Sequence, residues 1–258
     1  MTQTDYNSVS QAIRDKYANG GQGINTTVHK GTFGTYVTDH DSPELSYILP
    51  DKITSDQTSS MLLEAGSHID SPSVRVYLDG QTSDRELHAP LINAGFTLNC
   101  QLVYLAYRGT PPNSQPDPAL TIEPMTDKNA VDYYTAWCKG FSDSENEPTP
   151  EETEEDVVSL IQEMEGGNSY LIGRVKGDAA TIAGWYEGPD RLIFHLATRL
   201  PYRNQGHAKR ILSYIISDTF QTGRQSVTIF TDPNDTPVEF YRRMGFTEEV
   251  YRQIRYTI

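Results

Sequence analysis

The chain has 258 residues, with 21 Lys and Arg against 35 Asp and Glu, for a formal net charge of −14. An apolar share of 36% and an aromatic share of 10% suffice for a packed core, which excludes wholesale disorder. The acidic balance argues against nucleic-acid binding through phosphate neutralisation. No run approaches the roughly 20 apolar residues of a membrane span, and the start, residues 1–18, has no apolar signal core. Cys100, Cys138 and six scattered histidines show no metal-ligand spacing. The expectation is a cytoplasmic protein with no membrane association and no metal.

In chain order, Tyr36–Thr38 and Leu45–Leu49 read as a hairpin and Thr58–Ile69 as a helix. Val74, Val76 and Leu78 alternate as a buried strand, Arg85–Asn93 is helical, and Phe96–Tyr107 is strand-rich. Four prolines in the eleven residues of Gly109–Ala119 mark a linker, because proline favours an extended, semi-rigid path. The domains are therefore expected at 1–110 and 119–258, joined by 111–118.

Beyond the linker, Leu120–Glu123 is a short strand, and Thr126 can cap a helix running to about Lys139. Thr149-Pro150-Glu151-Glu152 is a capping box with proline at the first helical position. Val157, Leu160, Ile161 and Met164 share one face of the helix it opens, which Gly166-Gly167 ends. Strands follow at Tyr170–Val175, Ile182–Glu187 and Arg191–Thr198. An amphipathic helix spans Gly206–Phe220, then comes a strand at Ser226–Phe230. A second capping box at Thr236 opens a short helix that Gly245 closes, and two short strands finish the chain. The order implies an α/β domain. Ala94-Gly95-Phe96-Thr97 matches Met244-Gly245-Phe246-Thr247, each after a short helix and before terminal strands, which suggests an internal repeat.

The segment that carries chemistry is Leu196–Arg210, where a strand runs through Arg203-x-x-Gly206-x-Ala208 into a helix. Small residues at 206 and 208 let the main chain approach a ligand. Successive N–H groups from Asn204 to Lys209 then gather at a helix N-terminus, which suits a pyrophosphate. Arg203, Lys209 and Arg210 add positive charge. Downstream, Asn234 precedes Tyr241 by seven residues, within Pro233–Phe246.

With both motifs at this separation, 119–258 resembles the GNAT superfamily of acyl-CoA-dependent N-acetyltransferases. The resemblance implies an α/β (α+β) fold, a GNAT-like mixed central sheet flanked by helices, with a second, degenerate GNAT-like half at the N-terminus. It also implies roles. The main chain of Leu196, Ala197 and Thr198 would pair with the pantetheine arm of acetyl-CoA. Arg203, Asn204, Gln205, Gly206, His207, Ala208 and Lys209 would hold the pyrophosphate, and Asn234 would contact the cofactor arm. Tyr241 would protonate the departing thiolate. The implied reaction is direct acetyl transfer to a primary amine of a small molecule or peptide. A non-catalytic acyl-CoA-binding module and an acyltransferase with a longer donor remain open.

Some members of the family carry a glutamate base five residues before the motif asparagine, and here that place is Ile229. Glu187, His195, Asp232 or a water remain as the base. Residues 141–173 hold ten acids and no Lys or Arg, from Asp143 to Glu165. This stretch draws a cationic acceptor or is a solvated face. In the first half the place matching Arg203 is near Ile53, with no glycine and two acids, and Asp84 and Leu91 stand where Asn234 and Tyr241 would be.

Overall fold

The computed structural model describes residues 18, 25–71, 73–80, 86–112, 118–142, 144–188, 190–235 and 237–258. Residues 113–117 of the expected linker and Thr236, the expected cap, lie outside them. Two compact units result. The first comprises the described residues up to Leu105 with Thr231–Glu239 and Glu248–Ile258; the second comprises those of Ala106–Phe230 with Phe240–Thr247. The sequence reading runs the second domain through to Ile258, whereas here the last strand counts with the first unit.

In the first unit, the sheet order is β1 (Thr26–Lys30), β2 (Gly34–Asp39), β3 (Tyr47–Pro50), β4 (Arg75–Leu78), β11 (Glu248–Thr257) and β5 (Thr97–Tyr107). The expected hairpin is β2–β3, antiparallel through Tyr36 and Ile48. Helix α1 (Thr58–Ala65) is the crossover that lets β3 and β4 run parallel. Strict alternation splits the side chains between two faces. Tyr36, Ile48, Val76 and Leu78 pack with Met61 and Leu91, while Val37, Tyr47, Leu49 and Tyr77 form a second cluster. The chain ends in one ten-residue strand, β11, rather than two short ones, because its register against β4 continues unbroken from Ile254 to Thr257. Strand β1 had no apolar signal; four of its five residues are exposed.

Glu64 of α1 ties down the β1–β2 turn. Its carboxylate accepts the Thr32 and Phe33 N–H groups at 2.9 and 3.1 Å and the Tyr36 hydroxyl at 2.6 Å. A side chain at Gly31 would collide with Tyr36 and Glu64, at 2.6 and 2.7 Å.

The second unit has the order β10 (Val227–Thr231), β9 (Arg191–Thr198), β8 (Asp178–Tyr186), β7 (Asn168–Val175) and β6 (Thr121–Pro124). Strands β6 to β9 are antiparallel neighbours, and β10 runs parallel to β9. Lys176 and Gly177, with φ of 53° and 97°, make the two-residue β7–β8 turn. Helices α3 (Ala130–Phe141) and α4 (Pro150–Glu165) bury Tyr133, Ala136 and Leu160 against Ile172, Ile182 and Ala197. The α4 capping box forms as the sequence requires, with Thr149 and Glu152 bonding each other's main chain. The α3 start differs from expectation. Asn129, not Thr126, precedes the helix, and its Oδ1 accepts the Thr126 N–H at 2.6 Å. Helix α5 (His207–Gln221) buries Ile211, Leu212, Ile215 and Ile216.

The internal repeat recurs in backbone detail. Helices α2 (His88–Asn93) and α6 (Pro237–Arg243) each end at a glycine with positive φ, Gly95 at 95° and Gly245 at 99°. In each, the following phenylalanine N–H bonds back at 3.0 Å, Phe96 to the Leu91 carbonyl and Phe246 to that of Tyr241.

The Tyr36 hydroxyl, followed by the turn N–H groups, holds the Glu64 carboxyl at about 2, below its ordinary 4.5. The stabilisation is therefore present above pH 4.5 and is lost as pH falls toward 2. In urea titrations at successive pH values, Glu64→Gln should lose the part of the acid-induced drop in midpoint that the wild type shows across this window.

Candidate active site

Strand β9 changes partners along its length. Its pairing with β10 covers Arg191–Val227, Leu192–Thr228 and Ile193–Ile229. Beyond Ile193 no β9–β10 pair is present among the described residues, while pairing with β8 continues to Thr198–Thr181. One edge of β9 is thus open over its second half. Antiparallel ladders alternate bonded and non-bonded pairs. The Arg199 N–H on the Ala180 carbonyl, 3.0 Å, sets that phase. Ala197 therefore bonds to β8, and the main-chain groups of Leu196 and Thr198 point to the open edge. This divides the three expected pantetheine residues, with Ala197 facing away from the role given it.

A bulge precedes the open segment. Gly184 pairs with His195 and Trp185 with Ile193, leaving Phe194 as the extra residue. Simple alternation left open whether His195 turns from the site. The bulge resets it, so that Phe194 packs against Tyr170 and His195 against Tyr133 and Trp137.

After β9 the chain makes a short 3-10 turn, Leu200–Tyr202, and reaches α5 through two left-handed residues, Asn204 (φ 60°) and Gly206 (φ 81°). The first intrahelical bond runs from Arg210 N–H to the Gly206 carbonyl, so the N–H groups of His207, Ala208 and Lys209 lie ahead of it. A side chain at Gly206 would meet only the Arg210 guanidinium, 3.4 Å away. N–H groups gathered at such a turn suit an anion. Arg210 holds the turn by donating to the Gln205 carbonyl at 2.6 Å, Gln205 donates to that of Pro201, and Lys209 is exposed. The His207 side chain is buried beside Tyr202, so only its main chain belongs to the turn.

Arg203, expected at the phosphate, bonds two main-chain carbonyls. Its Nε donates to the Thr198 carbonyl at 2.9 Å and its Nη2 to the Gly140 carbonyl at 2.7 Å. It braces the end of β9 and the end of α3 around the loop. Gly140 allows the same approach, since a Cβ there would lie 2.8 Å from that of Ala197.

A family model for the acetyltransferase (GNAT) domain matches residues 166–248, which contain β7 to β10, the bulge and the loop. Residues 166–248 are a GNAT domain. No curated relative matches the sequence. Among solved structures, a GCN5-related N-acetyltransferase from Kribbella flavida is similar at TM-score 0.65 and 14% identity, covering 96% of this chain and 95% of its own. A tandem GNAT protein from the clavulanic acid biosynthesis pathway is similar at 0.64 and 11%, covering 92% and 84%. A conserved protein of unknown function from Staphylococcus epidermidis reaches 0.66 and 11%, covering 91% and 94%. The fold of the whole chain is thus that of two-half GNAT proteins.

Of the remaining expected residues of the GNAT site, Asn234 is exposed and its N–H bonds Asp232 Oδ1 at 2.7 Å. Tyr241 is buried, packed beside Phe240 and Phe246. Glu187 is committed elsewhere, accepting from Ser169, Trp185, Arg191 and Arg224. Burial pushes its carboxyl up, but the Trp185 indole and the two arginines outweigh this and hold it below its ordinary value. Among the described residues no His, Cys, Asp and Glu side chains gather as a metal site. Several acids of the stretch are bonded within the fold. Glu145 pairs with Arg199, Glu147 with Lys139, Asp156 accepts the Tyr134 hydroxyl, and Glu163 that of Tyr170. Two contributors had no sequence signal. Tyr133 reads as one more core aromatic, and Thr181 bonds both the Ala197 carbonyl and the Thr198 hydroxyl from a neighbouring strand.

Because Arg203 braces two carbonyls, Arg203→Met should lower stability by about 2 kcal/mol in urea unfolding, the scale of charged hydrogen bonds left unmade. A phosphate contact alone would leave the midpoint of the ligand-free protein unchanged.

Proposed function

We propose that the protein is an N-acetyltransferase that moves the acetyl group of acetyl-CoA directly to a primary amine of a small molecule or peptide. The observation that carries this reading is the open edge of β9 beyond Ile193, braced through Arg203 to a left-handed turn at the head of α5. The open edge offers the Leu196 N–H and carbonyl and the Thr198 N–H to an extended amide-bearing chain, as a missing strand would be received. The turn offers N–H groups and the Lys209 and Arg210 charges to a pyrophosphate. That pairing of needs fits a pantetheine arm joined to a diphosphate.

When bound, acetyl-CoA supplies a thioester carbon open to attack by an amine. A β9 N–H aimed at the thioester oxygen stabilises the charge that develops there. We assign Asn234 to the cofactor arm and Tyr241 to proton delivery at sulfur, since a phenol in hydrogen-bond reach can neutralise a leaving thiolate.

Two variants test the reading with acetyl-CoA titration calorimetry and a thiol-release assay over primary amines. Gly206→Glu should abolish acetyl-CoA binding, because a carboxylate would enter the turn. Tyr241→Phe should lower kcat about 100-fold and leave the acetyl-CoA Kd within about threefold. Wild-type turnover in Tyr241→Phe removes this tyrosine from the chemistry, and undiminished binding in Gly206→Glu removes the turn from the cofactor site.

A further inference from the structure

We infer that His195 is the general base of this transfer, oriented by Tyr133 at the inner end of an aromatic wall made by Trp137 and Phe141. The inference rests on the acetyltransferase reading and names the residue which that reading leaves unassigned.

Geometry singles out His195. It directly precedes Leu196, the first residue whose main chain faces the open edge, and the Phe194 bulge turns it toward α3. The ring is partly exposed and stands 5.7 Å from Trp137, 6.2 Å from Phe141 and 4.7 Å from Phe194, between ring centroids. The Tyr133 hydroxyl lies 3.2 Å from Nδ1. For Nε2 to take a proton, Nδ1 must carry the N–H and donate it to the Tyr133 oxygen, which also fixes the ring plane. Of the two carboxylate candidates, Glu187 is bound by two arginines and an indole, and Asp232 sits in the turn it forms with Asn234, whose N–H it accepts.

The wall gives the acceptor a place. Phe141 is 52% exposed, so the aromatic surface runs from His195 out to solvent. Its rings attract an ammonium group through their π faces. Among the described residues, ionisable groups near His195 include Tyr133 from α3 and, behind it, Tyr170 from β7 and Glu163 from α4. Burial first, then those two, drives the Tyr133 hydroxyl well above its ordinary value, so it stays a neutral phenol.

An ammonium acceptor gives up two protons. His195 Nε2 takes the first and passes it to solvent, and the freed lone pair forms the C–N bond. The C–S bond breaks with its electron pair on sulfur, and the second proton ends there through Tyr241.

The test measures kcat and KM against pH with acetyl-CoA and a panel of alkyl, arylalkyl and polyamine primary amines. His195→Gln should lower kcat about 100-fold and erase the acid limb of kcat/KM, with the acetyl-CoA Kd unchanged. Tyr133→Phe should lower kcat about tenfold and shift that limb, with KM held, while imidazole restores part of the turnover of His195→Ala. In the wild type, the His195 ring-proton NMR shift should titrate at the midpoint of the acid limb, a readout that stands even where a variant fails to fold. An unchanged limb in folded His195→Gln, or an NMR midpoint more than about one unit from the limb, overturns the base and leaves the acetyltransferase reading intact. Wild type that binds acetyl-CoA yet releases no thiol with any amine overturns that reading, and this assignment with it.

Discussion

The site depends on one strand keeping one neighbour and losing the other. Strand β9 stays paired with β8 to Thr198 but leaves β10 after Ile193. Main-chain groups left without a ladder must find partners in solvent or in a ligand, because a peptide N–H or carbonyl buried alone is costly. Opening a strand in the middle of a sheet therefore creates a binding edge that no side chain needs to supply. That is why the proposed cofactor positions can carry side chains as bland as Leu196 and Thr198.

Such an opening requires firm anchors at both ends. At the paired end, Arg191 is buried, bonding Glu187, Asp218 and Thr219, and Arg224 shares Glu187. Removing these carboxylates would leave the buried Arg191 guanidinium without an anionic partner, which is costly. At the open end, Arg203 ties Thr198 to Gly140. Between them the Phe194 bulge absorbs the change in direction and presents two consecutive aromatic rings, Phe194 and His195, to the helix side. The net charge follows the same division. Residues 141–173 carry ten acids, several already paired, whereas the turn at α5 keeps the Lys209 and Arg210 charges.

Much of this was legible in the sequence, for identifiable reasons. The α4 capping box, the apolar face of α5 and the paired glycine caps at Gly95 and Gly245 are local patterns, and local physics determines them. The loop from Arg203 to Lys209 stood out because glycine and helix start coincide. What stayed hidden is non-local. Nothing in Phe194 or Gly184 announces a bulge, which arises only when two strands set their register. The same holds for Arg203, whose partners Thr198 and Gly140 come together only once α3 lies on β9. The exposed strand β1 and the unbroken β11 were missed because pairing, not hydrophobic pattern, defines them.

Amide hydrogen exchange with and without acetyl-CoA tests the central claim most directly. The open-edge account predicts that acetyl-CoA slows exchange at Leu196 and Thr198 and at His207 to Lys209, while Ala197, already bonded to β8, changes little. Protection shared evenly by all three β9 residues, or absent from them while acetyl-CoA is bound, would contradict it.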